Sequence, residues 1–177
     1  MEIKAKCKFD MDSMKALVHL SMFKKADPKQ RMRFWTIVYA IIMAFMIFEL
    51  LIWGKDTTMF VLLGVLVVVY LLESFLYFIL PKMRYKALAK MQEAENEYIF
   101  LEQVIRCFTK SEEFNSEAEI EYSLFVKVYE TSKYFFLFQT NNQVFLVDKS
   151  TIEGGTAEDI RNKLLYFVKD KYVVCKY

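Results

Sequence analysis

The sequence predicts an α+β membrane protein: a two-helix transmembrane hairpin attached to a small antiparallel β domain that closes on a C-terminal helix. Three observations carry this. Residues 34–53 and 59–80 are two long apolar runs separated by five residues. From residue 96 the chain changes to short alternating segments bounded by turn residues. Residues 157–168 then carry apolar side chains at helical spacing behind a capping threonine.

Each apolar run reaches about 30 Å as a helix at about 1.5 Å per residue, enough to cross a bilayer core. The turn between them, 54–58, is too short for anything else. The first run starts late, and Lys4, Lys6 and Lys8 alternate with apolar residues ahead of it, unlike a cleavable signal peptide. Lys24, Lys25, Lys29, Arg31 and Arg33 precede the first run; Lys82, Arg84, Lys86 and Lys90 follow the second. The turn holds Lys55 beside Asp56. Positive residues stay on the cytoplasmic side, so the sequence predicts a multi-pass protein of the cytoplasmic membrane with both termini cytoplasmic. Trp35, Tyr39, Trp53 and Tyr77 stand near the span ends, where amphipathic rings anchor.

Outside the hairpin the pattern is domain-like. In residues 1–10, Ile3, Ala5, Cys7 and Phe9 alternate with charged residues, as in a half-buried strand. In the juxtamembrane segment 11–33, Asp12 or Ser13 is placed to cap an amphipathic helix. Met14, Leu17, Val18 and Met22 share its apolar face, and Lys15 and His19 fall off it, so that His19 reads as a solvated imidazole. Residues 81–95 read as a continuing juxtamembrane helix. Strands are expected at 97–101, 104–110, 118–122, 125–131, 134–140 and 143–148, with Asn141-Asn142 as a two-residue hairpin loop. Thr156 is placed to cap a helix over 157–168 with Ile160, Leu164, Phe167 and Val168 on its buried stripe. A last short strand fits 172–175.

Six strands and a terminal amphipathic helix over 96–177 match the plan of a pleckstrin-homology-like (PH-like) antiparallel β-barrel with a capping helix, and strand 2–9 is available as its seventh member. The hairpin would then be an insertion between the first two strands. An extra strand would enlarge a small core and cover a sheet edge.

The strand patterns resemble one known family. Ile120-Glu121-Tyr122, the run from Val126 to Thr131, the run from Tyr134 to Phe138 and the run from Phe145 to Lys149 are similar to the YcxB-like family of small bacterial membrane proteins. That resemblance implies two N-terminal spans followed by a PH-like domain. It brings no catalytic residues.

Candidate functional residues are few. Glu49 and Glu73 lie inside the apolar runs, where a carboxylate is costly and points to function. With both termini inside, Glu49 lies near the outer end of its span and Glu73 lies roughly 10 Å from the inner end of the other. The bland alternative is a snorkelling Glu49 and a hydrogen-bonded Glu73. Ala40 and Ala44 have the spacing of close helix contacts. Before residue 96 the chain holds 14 Lys/Arg against 9 Asp/Glu, and after it 10 against 13. The basic excess is therefore juxtamembrane, fit for topology or for anionic lipid, and the acidic domain argues against nucleic acid. Cys7, Cys107 and Cys175 show no metal-type spacing, and Cys7 and Cys107 read as small core hydrophobes. One histidine and no Gly-rich phosphate loop give no enzyme signature.

The expectation is a non-enzymatic protein without cofactor or metal. It would present a PH-like interaction module at the membrane surface, with membrane lipids and a protein partner, or a second copy, as its contacts and no small-molecule substrate. The alternatives are an oligomeric transport or channel subunit using the intramembrane glutamates, and a membrane immunity or stress protein.

Overall fold

The computed structural model describes residues 2–23, 27–53, 57–88, 94–111 and 115–175. Strand β1 (Ile3–Lys8) buries its odd-numbered residues and exposes its even-numbered ones, as the alternation requires. Helix α1 (Met11–Phe23) follows. Its cap is Asp10, not Asp12 or Ser13: the Asp10 carboxylate accepts from the Ser13 N–H at 2.8 Å, and the Ser13 hydroxyl accepts from the Asp10 N–H at 3.0 Å. This reciprocal arrangement satisfies two donors that a helix start otherwise leaves bare.

Helix α2 (Pro28–Trp53) begins earlier than the apolar run, with Asp27 accepting from the Lys29 N–H at 2.8 Å. Proline is therefore the first residue of this helix, where its missing N–H costs nothing. Helix α3 (Thr57–Ser74) runs back along α2, in contact through the edge-on ring pair Tyr39–Tyr70 at 5.4 Å. Both helices are long and apolar enough to cross a membrane. Their outer faces are bare of protein, up to Leu51 at 80% exposure, so they are not the core helices of a soluble domain. Of the expected turn, residues 54–56 lie outside the described residues, and so does the side chain of Trp53.

Pro81 does not end the second helix. A π-helical turn, Phe75–Ile79, follows α3, and helix α4 (Leu80–Ala87) continues from it with Pro81 in its first turn. Packing of α1 against α4 ties the hairpin to the rest of the chain. The expected helix over 81–95 is too long at its end: Glu95 already stands in β2 (Glu95–Phe100), because the β1 backbone offers it a pairing partner.

Two four-stranded sheets complete the fold. In the first the order is β1-β2-β3-β4, all antiparallel, with β3 at Val104–Lys110 and β4 at Asn115–Glu121. In the second the order is β7-β6-β5-β8, with β5 at Lys127–Glu130, β6 at Tyr134–Phe138, β7 at Val144–Asp148 and β8 at Tyr172–Val174. β8 runs parallel to β5. Helix α5 (Ala157–Val168) packs Ile160, Leu164 and Val168 into the core, and Phe167 stacks on Tyr122 at 5.0 Å. A full capping box starts it, with Thr156 and Asp159 exchanging hydrogen bonds.

The expected barrel is not closed among the described residues; the chain forms two sheets that share one core. The outer edge of β1 meets the segment after β7. Lys4 and Glu153 exchange backbone hydrogen bonds at 2.9 and 2.8 Å, and the Thr151 hydroxyl accepts from the Lys6 N–H while donating to its carbonyl. Gly154 sits at φ +75° there, and a Cβ on it would lie 2.6 Å from the Glu2 carbonyl oxygen. The turn between β6 and β7 also differs from expectation. Phe138 pairs with Val144, leaving a five-residue connection in which the Thr140 hydroxyl accepts from the Asn142 and Gln143 N–H groups. Neither Asn141 nor Asn142 takes a positive φ, because the threonine side chain closes the turn instead.

Candidate functional site

The two carboxylates of the apolar helices are not brought together. Glu49 is half-buried one turn before the end of α2, at the hairpin tip. Glu73 stands next to last in α3, at the opposite end. There it shares a cavity of about 170 Å³ with Met22, Arg31, Met32, Trp35 and Leu76. Glu73 is thus level with the basic first turns of α2 and not deep in the apolar run. Lys29, Arg31 and Arg33 are exposed on those turns, and Lys82, Arg84 and Lys86 are exposed along α4. Lys24, Lys25 and Lys90 lie outside the described residues. Both residues of the small pair are exposed; Ala40 lines a crevice between α2 and α3 together with Leu66 and Val67.

The junction between the hairpin and the domain is built around His19. The expectation of a solvated imidazole is overturned: His19 is buried, because α1 lies against α4 and turns position 19 toward the π-helical turn. Its ring stacks on Tyr77 at 4.4 Å, and Nε2 lies 3.2 Å from the Tyr77 carbonyl oxygen. A carbonyl only accepts, so Nε2 carries the proton. In an α-helix that carbonyl would take the N–H four residues on, but that residue is Pro81, which has none. Burial lowers the His19 pKa, the Tyr77 hydrogen bond opposes this, and Lys15 adds to the lowering.

A second, larger hollow of about 430 Å³ opens where the end of α1 meets the outer face of the second sheet. Leu20, Ser21, Val126, Lys127, Tyr129 and Phe138 line it. Val126 at 50% exposure makes part of this wall apolar surface open to solvent. The local sequence explains the wall: in β5, Val128 and Glu130 turn inward, so Lys127 and Tyr129 face out.

The most concentrated chemistry was not legible in the sequence. Glu130 is 2% exposed and holds three partners. Arg161 on α5 grips its carboxylate with two nitrogens, Nε at 2.8 Å and Nη2 at 2.6 Å. Lys149 donates to it at 2.6 Å, and the Tyr172 hydroxyl completes the set. Burial alone would raise the Glu130 pKa; Arg161, Lys149 and Tyr172 outweigh it and hold the carboxyl down to about 2. A carboxylate this firmly ionised does not serve as a general acid or base near neutral pH. It fixes β5, β7, α5 and β8 to one another. The available signal was the strand alternation itself, which put a charged residue on the same face as Val128.

Burial pushes the Cys7 thiol up to about 12 and the Cys107 thiol up to about 11, with Asp148 and Asp10 adding to the first. Both behave as core side chains, not nucleophiles. Among the described residues no group of three His, Cys, Asp or Glu side chains is placed to hold a metal ion.

Residues 108–164 match the family described as YcxB-like protein, the family that the strand patterns between residues 120 and 149 resemble. The matched stretch is about a third of the chain and includes Glu130, Lys149 and Arg161. No curated protein and no solved structure matches the chain.

Proposed function

We propose that this chain is a non-enzymatic integral membrane protein that presents a PH-like interaction module at the cytoplasmic surface, where it docks a protein partner or a second copy of itself. The observation that carries the reading is the half-apolar hollow between α1 and the second sheet. It is formed partly by α1, the same helix that clasps the hairpin through His19, so a docked segment would be held at a fixed place relative to the helices. Seven strands in two sheets ahead of an amphipathic helix support the PH-like description. Strand grooves of this kind receive extended or helical peptide segments. The Lys/Arg asymmetry around the hairpin supports the cytoplasmic side.

The test is site-directed photocrosslinking in the native host, with the probe at Val126 or Phe138 in the hollow and at Tyr166 on the outer face of α5 as the control. A defined product from the first two positions and none from Tyr166 is the expected outcome. Equal labelling at all three, or none, would remove the hollow from consideration. Reporter fusions at the C-terminus and in the 55–58 turn should show opposite sidedness, and a periplasmic C-terminus would overturn the topology. Ion flux in vesicles that depends on Glu73 would favour the transport alternative.

A further inference from the structure

The cavity at the domain end of the hairpin has an unusual pair of walls. Arg31, in the first turns of α2, and Glu73, at the end of α3, both line it. Trp35 stands beside them on α2 and Leu76 on the π-helical turn that follows α3, and Met22 closes it from the end of α1. Arginine is cationic at any relevant pH and suits phosphate oxygens. A carboxylate a few residues inside a span is expensive unless something donates to it. One polar wall therefore fits an anion and the other fits a hydrogen-bond-donating cation, with apolar surface between them. The cavity has a volume of about 170 Å³ and opens at its side, so a head group can enter it.

We infer that this cavity is a binding site for the head group of a zwitterionic amino-phospholipid of the phosphatidylethanolamine class. Arg31 takes the phosphate, Glu73 takes the primary ammonium, and Trp35 and the methionines meet the glycerol and first methylenes. The inference rests on the membrane-spanning reading above. The ammonium distinguishes this ligand from two neighbours in chemistry. A choline head group has no N–H to give Glu73, and its trimethylated nitrogen leaves the carboxylate without a donor. A phosphatidylglycerol head group brings a phosphate to Arg31 but nothing cationic to Glu73. The position is also right: three residues into α2 is about 5 Å from its start, the level at which phosphates lie when the basic turn of α2 marks the surface.

The experiment uses the full chain reconstituted in nanodiscs containing equal parts of phosphatidylethanolamine, phosphatidylcholine and phosphatidylglycerol. After gentle detergent exchange the lipids that remain bound are identified by native mass spectrometry. The expected result is enrichment of phosphatidylethanolamine over phosphatidylcholine by about tenfold, the factor that one charge-assisted hydrogen bond supplies. N-methylated intermediates should fall in between. Glu73→Gln should abolish the ethanolamine preference, and Arg31→Gln should lower retention of every phospholipid. Unchanged amide protection in β5 and β6 shows that either variant is folded. Equal retention of the ethanolamine and choline lipids by the wild-type chain would overturn the inference, as would an undiminished preference in Glu73→Gln. Phosphatidylglycerol enriched above both would reduce the site to attraction by Arg31 alone and likewise overturn it. Displacement of the lipid by soluble phosphoethanolamine at equal concentration would overturn the assignment to a membrane ligand. Failure of the chain to enter nanodiscs at all would instead count against the membrane-spanning reading.

Discussion

Replacing Glu130 with glutamine removes the charge at the centre of the second sheet without changing its shape. Its carboxyl is held at about 2 against an ordinary 4.5, a difference that corresponds to about 3–4 kcal/mol at roughly 1.4 kcal/mol per pKa unit. Breaking a buried ion pair from one side gives a similar figure, about 3–5 kcal/mol, because the stranded partners stay buried. Here Lys149 and Arg161 would be left facing a neutral amide in place of the carboxylate. The folded pKa is depressed, so the stabilisation is complete above about pH 4.5 and is lost as the pH falls toward about 2. Native-state hydrogen exchange on the full chain in micelles reads this out as the opening free energy of β5, β6 and α5. Glu130→Gln should lower it by about 3 kcal/mol near neutral pH, and the gap between wild type and variant should narrow as the pH drops below about 4.5, since a protonated glutamate resembles glutamine. A loss under about 1 kcal/mol, or a gap that stays constant on acidification, would refute the argument that this carboxylate fastens the sheet to the helix.

Three further outcomes follow from particular contacts. His19→Ala leaves the Tyr77 carbonyl without its side-chain donor and should cost about 1–3 kcal/mol, seen as faster exchange in α1 and α4 with β5–β7 unchanged. Gly154→Ala forces a Cβ to 2.6 Å from the Glu2 carbonyl at a positive φ, so β1 should detach and become the first site of limited proteolysis; Gly155→Ala, which meets only the movable Ile3 side chain, should do less. Cys7 and Cys107, buried and with raised pKa values, should resist maleimide in the native chain and react fully only in denaturant.

What the sequence disclosed was local. The helix over 157–168 matches α5 to the residue, because its cap adjoins it and its stripe lies within its own span. The strand 104–110 matches as well, through its period-two alternation. The errors arise where a distant partner decides. The cap of α1 is the local exception: Asp10 and not Asp12 holds it, a difference of two residues settled by which side chain meets Ser13. Glu95 is drawn into a strand by β1, a segment on the far side of both helices. The Glu130 partners stand 19, 31 and 42 residues away, with no spacing rule to join them. Pro81 removes a donor from the helix, but the remedy, a widened turn with His19 covering the carbonyl, needed position 19 and position 77 in one view. The Arg31–Glu73 cavity was hidden for the same reason: each was read against its own span.

The pairing of β1 with β2 bears on how the chain is made. β1 ends at Lys8 and β2 begins at Glu95, so the strand synthesised first waits for its neighbour across about 85 residues. Closing a flexible loop of that length costs on the order of 4 kcal/mol in chain entropy. A hairpin whose helices lie side by side removes most of that cost, since packed helices hold their ends roughly 10 Å apart. Packing of the two helices thus favours completion of the first sheet. On the membrane-spanning reading proposed above, a chain that inserted only one of them would leave β1 and β2 on opposite faces of the bilayer, and the core would lack the wall formed by Ile3, Ala5 and Cys7. On that reading the β domain checks its own anchor, since the first sheet closes only when both helices are seated side by side.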